Sequence, residues 1–335
     1  MTKVAYRVII LTFSLLLLTL PQVRGELRKG ESVQPHTDSI FELSIFVIPS
    51  HRPLDWTSPS SILRSTVNSF MEASFSRKLY SIGHLFIELN NPEGIPLIRT
   101  SIASKEPSEQ RAMVLKEKIG LAMLGAPVKG RMESMEELET KINRFAKKKK
   151  ISFISYKILP AAAERVINFV KAFTSRDSAG FSQSDRYGGA FWPRFKGEGA
   201  GCSAFGMAAL ELTGARIDYP DWYVKVQVPY DLVGGKYNNG NKIRPRDILQ
   251  RKYWYKGSGI ENEDYYTHFI YDPSYIYNWI LNQLSADHLP EGFTKSTKTS
   301  KNGRVIEGLS FDATNIKTPS EPIFKERAYP SIFAH

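Results

Sequence analysis

One cysteine and six histidines are the residues of this chain best suited to nucleophilic or acid–base chemistry. Cys202 stands in "GEGAGCSAFGMAALELTG" (197–214), where a glycine-rich loop gives way to an apolar stretch stopped by Gly214. A helix that opens at or beside Cys202 points its free amide N–H groups and positive dipole end at the sulfur, which favours thiolate over thiol. The neighbouring glycines allow close backbone approach, and the amides around Gly201 and Ser203 are placed to hold an oxyanion. A thiolate nucleophile needs a base. His84, inside the alternating run "YSIGHLFIELNN", is the first choice, because an imidazole buried in a strand wants a polar partner. His268, in the short apolar run "YYTHFIYDP", is the alternative base. The remaining histidines, 36, 51, 288 and 335, fall in the leader, in loops or at the chain end. Each residue also has a plain reading, the cysteine as a small core residue and the histidine as a hydrogen-bonded one.

Two other chemistries are excluded by spacing. The strained elbow of an α/β-hydrolase needs a glycine two residues after its nucleophile. Phe205 stands there for Ser203, and Ala204 for Cys202. Zinc hydrolysis lacks a His-x-x-x-His or Cys-x-x-Cys pair, so no metal and no cofactor is expected.

The elements that must position these residues follow from periodicity. "FELSIFVI" (41–48) predicts a strand ended by Pro49, and the Ser-Pro start of "TSPSSILRSTVNSFMEASF" a helix. The His84 run predicts a half-buried strand, with His84, Phe86 and Glu88 on one side and Leu85, Ile87 and Leu89 on the other. "NNPEG" turns it into a hairpin partner, "IPLIRTSIA". "SEQRAMVLKEKIGLAMLG" (108–125) and "MESMEELETKINRFAKKKK" predict two helices, "ISFISYKIL" a strand, and "PAAAERVINFVKAF" a helix with proline at its start. "DWYVKVQVPYDLVGG" predicts a further strand, beyond which the sequence is rich in tyrosines and turns. The aromatic residues there serve either a core or a substrate groove.

The chain opens with Lys3 and Arg7, an apolar run from Val8 to Leu20 and small residues before Glu26, the succession of a secretory signal peptide cut near Gly25. An exported protein of a bacterial envelope, in the periplasm or at the cell envelope, is expected. A single cysteine makes no intramolecular disulfide, so the apolar core alone must hold it together. The net charge of +11, lowered by three when Lys3, Arg7 and Arg24 leave, favours anionic envelope polymers or lipid head groups as partners; no nucleic acid is expected. The densest basic run, "RFAKKKKIS" (144–152), reads as a solvated helix end.

A histidine in a strand "GHLFIEL", a further strand, "YKILPAAAERVINFVKAF", the aromatic-glycine loop "YGGAFWP" and a cysteine opening an apolar helix together resemble the circularly permuted papain-like thiol hydrolases. That group includes NlpC/P60 peptidases and lecithin:retinol acyltransferase-like proteins. The resemblance spans residues 41–214 and implies an α+β fold: an antiparallel sheet packed on helices, with Cys202 as nucleophile and His84 as base. It also implies a third polar residue to orient the histidine, for which Thr100, on the following strand, and Glu88, on the same strand face, are the candidates. The expected organisation is a signal peptide (1–25), a polar leader (26–40), the core (41–214) with a helical insertion at 105–150, and an aromatic-rich C-terminal extension (215–335). The implied function is an exported cysteine hydrolase or acyltransferase acting on an amide or ester, with peptidoglycan peptides or lipid acyl groups as substrates. The alternative is a non-catalytic envelope binding or scaffold protein of the same fold.

Overall fold

Phe41–Ile48 forms strand β1, whose last six residues are all buried. A strand with both faces covered must lie inside a sheet, and β1 does, flanked on both sides. The computed structural model describes residues 39–75, 82–328 and 331–333; the expected signal peptide and all but the end of the leader lie outside them. The described residues belong to one compact unit.

After β1 come helix α1 (Pro59–Phe75) and strands β2 (His84–Asn90), β3 (Pro96–Thr100) and β4 (Ile102–Ser104). Helix α2 (Pro107–Ala112), strand β5 (Val128–Met132), helix α3 (Met135–Lys147) and strand β6 (Ser152–Ile158) follow. Next are helix α4 (Pro160–Thr174), the two-residue strand β7 (Arg186–Tyr187) and helix α5 (Cys202–Glu211). The remainder comprises strand β8 (Tyr223–Pro229), helix α6 (Pro245–Leu249), strand β9 (Tyr265–Tyr271), helix α7 (Pro273–Ser285) and strands β10 (Phe293–Thr299) and β11 (Val305–Asp312).

The architecture is mixed α+β. Six strands form the main sheet in the order β10-β11-β6-β1-β2-β3, antiparallel throughout except where β11 runs parallel to β6. The tyrosine-rich tail thus supplies two strands of the principal sheet. Smaller sheets join β4, β5 and β7, and β8 with β9. On one face of the main sheet Phe46, Phe86 and Phe153 pack with Leu138 and Ile142 of α3, and the Phe46 and Phe86 rings stack 4.9 Å apart. On the other face Leu85, Ile87 and Leu89 pack with residues of α4 and α5.

That double cover corrects two expectations. Strand β2 is not half-buried: all seven of its residues are inside, because α3 closes the face that alternation had left open. The helix expected over 108–125 stops at Ala112, passes through a π-turn (Met113–Glu117) and ends in a 3-10 turn (Leu121–Leu124). Between them Lys118 and Gly120 take positive φ of 57° and 62°. Ile119 is buried and bridges to Ile243 while Gly120 bridges to Val233, so pairing with distant chain overrides the local helical period. A Cβ at Gly120 would collide with the carbonyl of Leu232. The stretch expected as a helical insertion also contains β5, which no periodicity announced.

Candidate active site

Gly201 is the N-cap of α5 in extended conformation (φ −81°, ψ 161°), and Cys202 is the first helical residue. The helix is buried almost all round, as its uniformly apolar composition requires. It lies tight on β2 because Gly206 has no side chain: a Cβ there would collide with Leu85. This contact brings the start of α5 to the start of β2. The first bond of the helix runs from Phe205 N to Gly201 O (2.9 Å), so the amides of residues 202–204 precede it and point out of the helix end.

His84, the first residue of β2, hydrogen-bonds the Cys202 sulfur. Its Nε2 lies 2.6 Å from Oε2 of Glu133, which leaves Nδ1 for the sulfur. Glu133 follows β5 and precedes Ser134, the N-cap of α3, whose side chain accepts from Glu137 N in a capping box. Two bonds fix its backbone: Glu133 N donates to Ser101 O (2.8 Å), and Thr100 Oγ1 donates to Glu133 O (3.0 Å). Lys141, from the second turn of α3, donates to the other carboxylate oxygen. Sulfur, imidazole, carboxylate and ammonium therefore alternate along one buried chain.

Desolvation opposes charge on each of these groups, and the contacts reverse it. For His84, burial acts to lower the pKa, but the bonds to Cys202 and Glu133 raise it from 6.5 to about 9. For Glu133, burial acts to raise the pKa, but His84 and Lys141 bring it down from 4.5 to about 2. For Cys202, burial likewise acts upward, and His84, the backbone N–H of Leu85 and the Ser203 hydroxyl lower it. The Ser203 Oγ lies 3.9 Å from the sulfur. Tyr187, in β7, also hydrogen-bonds the sulfur; burial first, and then the negative sulfur, hold its phenol well above its ordinary range. A thiolate–imidazolium pair with a carboxylate behind the ring is the state this arrangement favours.

Cys202 lines a cavity of about 680 Å3, a size that takes a small-molecule ligand. Its walls come from α1, the 3-10 turn, the loop before Cys202, β9 and the segment 331–333, and they are chiefly apolar, with Trp56, Leu124, Phe191, Ile270 and Phe333 among them.

The structure thus unites Cys202 and His84, with Gly201 and Ser203 beside them, and replaces both expected third residues. Glu88 is on β2 four residues beyond His84 and opposite Ser44; it accepts from Arg99 Nε (2.6 Å) and makes no bond to His84. Thr100 acts one step back, holding the carbonyl of Glu133. His268, the alternative base, sits in the cavity wall, and among the described residues neither of its ring nitrogens bonds the Cys202 sulfur. Glu133 was missed because it is one of several acidic residues in "MESMEELE", and β5, "VKGRM", has a charge-broken pattern. The capping-box spacing Ser134–Glu137 marks the helix start and is the available signal that Glu133 lies outside it.

Comparison of the chain with protein-family models, with curated proteins and with solved structures found no match.

Proposed function

We propose that this protein is an exported cysteine hydrolase or acyltransferase of permuted papain-like fold, acting on an amide or ester through a thioester. The observation that carries the reading is the Cys202–His84–Glu133 alignment, with Cys202 lining a ligand-sized cavity. The permuted order is supported by the succession of β2, bearing the histidine, before α5, bearing the cysteine, with the two packed together.

The Cys202 thiolate attacks the carbonyl carbon, and the C=O electron pair moves onto oxygen, held by the amides at the start of α5. Collapse of this intermediate expels the alkoxide or amine, which takes the proton from imidazolium His84. Water, or an acceptor alcohol or amine, then gives its proton to neutral His84 as it attacks the thioester, and the thiolate leaves. Glu133 keeps the ring oriented and favours its charged form.

The apolar walls favour a lipid acyl ester or amide over a charged peptidoglycan stem peptide, whose ionised groups would lose hydration without counter-charges. A carboxylate behind the histidine ring, that of Glu133, supports the catalytic reading over the non-catalytic alternative. The test is to incubate the protein with p-nitrophenyl octanoate, quench in acid and weigh it. An octanoyl adduct on Cys202, absent from Cys202→Ala, is expected; nitrophenol release that persists in Cys202→Ala would overturn the proposal. Export is tested separately, by N-terminal sequencing of protein from the cell envelope: a start near Glu26 is expected, and an intact Met1 counts against it.

A further inference from the structure

His268 lies in β9 opposite Val226, 1% exposed, and faces the same cavity as Cys202. Its ring stacks on Trp56 (centroids 5.8 Å apart) and meets Tyr266 edge-on at 6.4 Å. Among the described residues neither ring nitrogen has a hydrogen-bond partner. Burial depresses its pKa from 6.5 to about 4, so at neutral pH it is an uncharged imidazole with one N–H and one lone pair. A buried polar side chain in this condition costs stability unless something else satisfies it.

The neighbouring polar groups are engaged. Tyr266 donates its hydroxyl to Leu121 O (3.1 Å), and Asp272 accepts from Trp56 Nε1 (2.9 Å) and Ser274 N (2.8 Å). Arg327 is held by Glu198, and Glu261 accepts from Thr267 N (3.1 Å). Among the described lining residues the cation Arg327 is therefore already paired, and the carboxylates of Asp272 and Glu261 oppose a further negative charge, so the lining does not suit an anionic ligand at His268. One backbone residue, Gly189, stands between His268 and the residue before the nucleophile: a Cβ on Gly189 would stand 3.5 Å from His268 Cε1, and one on Gly201 would stand 3.9 Å from Gly189 Cα.

We propose that His268 is a specificity-determining residue that hydrogen-bonds an uncharged hydroxyl or amide group, carried near the reacting carbonyl of an otherwise apolar substrate. This rests on the cavity being the substrate site of the hydrolase reading above. A ligand with such a group satisfies the imidazole and gains both affinity and register. An all-carbon ligand leaves the imidazole bare, and a site whose buried polar group goes unpaired rejects that ligand.

The test uses Cys202→Ser protein, in which no turnover intrudes, and three probes short enough to slide within the cavity: octan-1-ol, octanamide and 1-chlorooctane. Calorimetric affinities are measured for it and for the same protein carrying His268→Leu. The second substitution is expected to shift the preference of alcohol and amide over chloride by about ten-fold toward the chloride. In protein labelled with 15N-histidine, without the second substitution, octan-1-ol and octanamide should move the ring nitrogen resonances of His268 and 1-chlorooctane should not. This reading stands even where His268→Leu fails to fold. An unchanged preference, unmoved resonances under saturating alcohol, or no binding by any probe up to its solubility limit overturns the proposal. None of these outcomes depends on the reactivity of Cys202, so failure of the hydrolase reading in the octanoyl-adduct test is distinguishable from failure here.

Discussion

Glu133 Oε2 stands 2.6 Å from His84 Nε2, across 49 positions of sequence, with both side chains almost wholly buried. A carboxylate in that position makes the imidazolium the favoured form of His84, and the imidazolium in turn favours thiolate at Cys202.

Alkylation reports this directly. An ordinary thiol of pKa about 8.5 is almost wholly protonated at pH 6 and reacts slowly. Folded Cys202, with its pKa lowered by His84, is expected to react with iodoacetamide at pH 6 faster than the same cysteine in unfolded protein. Its rate should fall only at more acidic pH, where the thiolate takes up a proton. A thiol that resists until the protein unfolds would show a plain core cysteine.

Glu133→Gln keeps an oxygen to accept from Nε2–H but removes the charge. The His84 pKa should drop from about 9 toward its ordinary value, and thiol reactivity at pH 6 should drop with it. Turnover of an ester substrate should fall by about 10²–10⁴-fold. A carboxylate with only a structural role would alter the melting temperature and leave the pH profile of alkylation in place, which separates the two roles.

Cys202→Ser is expected to cost less than about 1 kcal/mol in chemical denaturation, because His84 and the N–H of Leu85 are present to bond the new hydroxyl. Ester turnover should collapse, since a serine hydroxyl beside the same imidazole is far less ionised than the thiol. A melting temperature lower by several degrees would show that the hydroxyl finds no partner.

The acid limb of stability should carry the mark of His268. Its folded pKa, about 4, is below the unfolded 6.5, so the unfolded chain binds its proton first as pH falls. The contribution is complete above pH 6.5 and is lost as pH drops through about 4, amounting to about 3 kcal/mol. Glu133, depressed from 4.5 to about 2, adds a further loss as pH falls from 4.5 through about 2. Denaturation midpoints at pH 7 and pH 4.5 should converge in His268→Phe relative to wild type. Equal slopes in the two proteins would show that His268 takes up its proton alike in the folded and the unfolded chain.

The sequence alone determined the elements whose apolar residues repeat locally. Phe41–Ile48, the capped helix α3, the proline-started α4 and the helix opening at Cys202 are set by alternation, caps and breakers within a few residues of one another. It also singled out Cys202 and His84, because a lone thiol at a helix start and an imidazole in an apolar strand are each chemically conspicuous. Tertiary structure decided what those residues meet. Whether Glu133, Glu88 or Thr100 reached His84 depended on how β5 ran into α3 and where Ser101 and Thr100 pinned the chain, distances no local pattern encodes. The place of β11 beside β6 and that of His268 in the cavity wall were decided in the same way. Periodicity tells a side chain which face it shares; only long-range packing supplies the partner on the other side of that face.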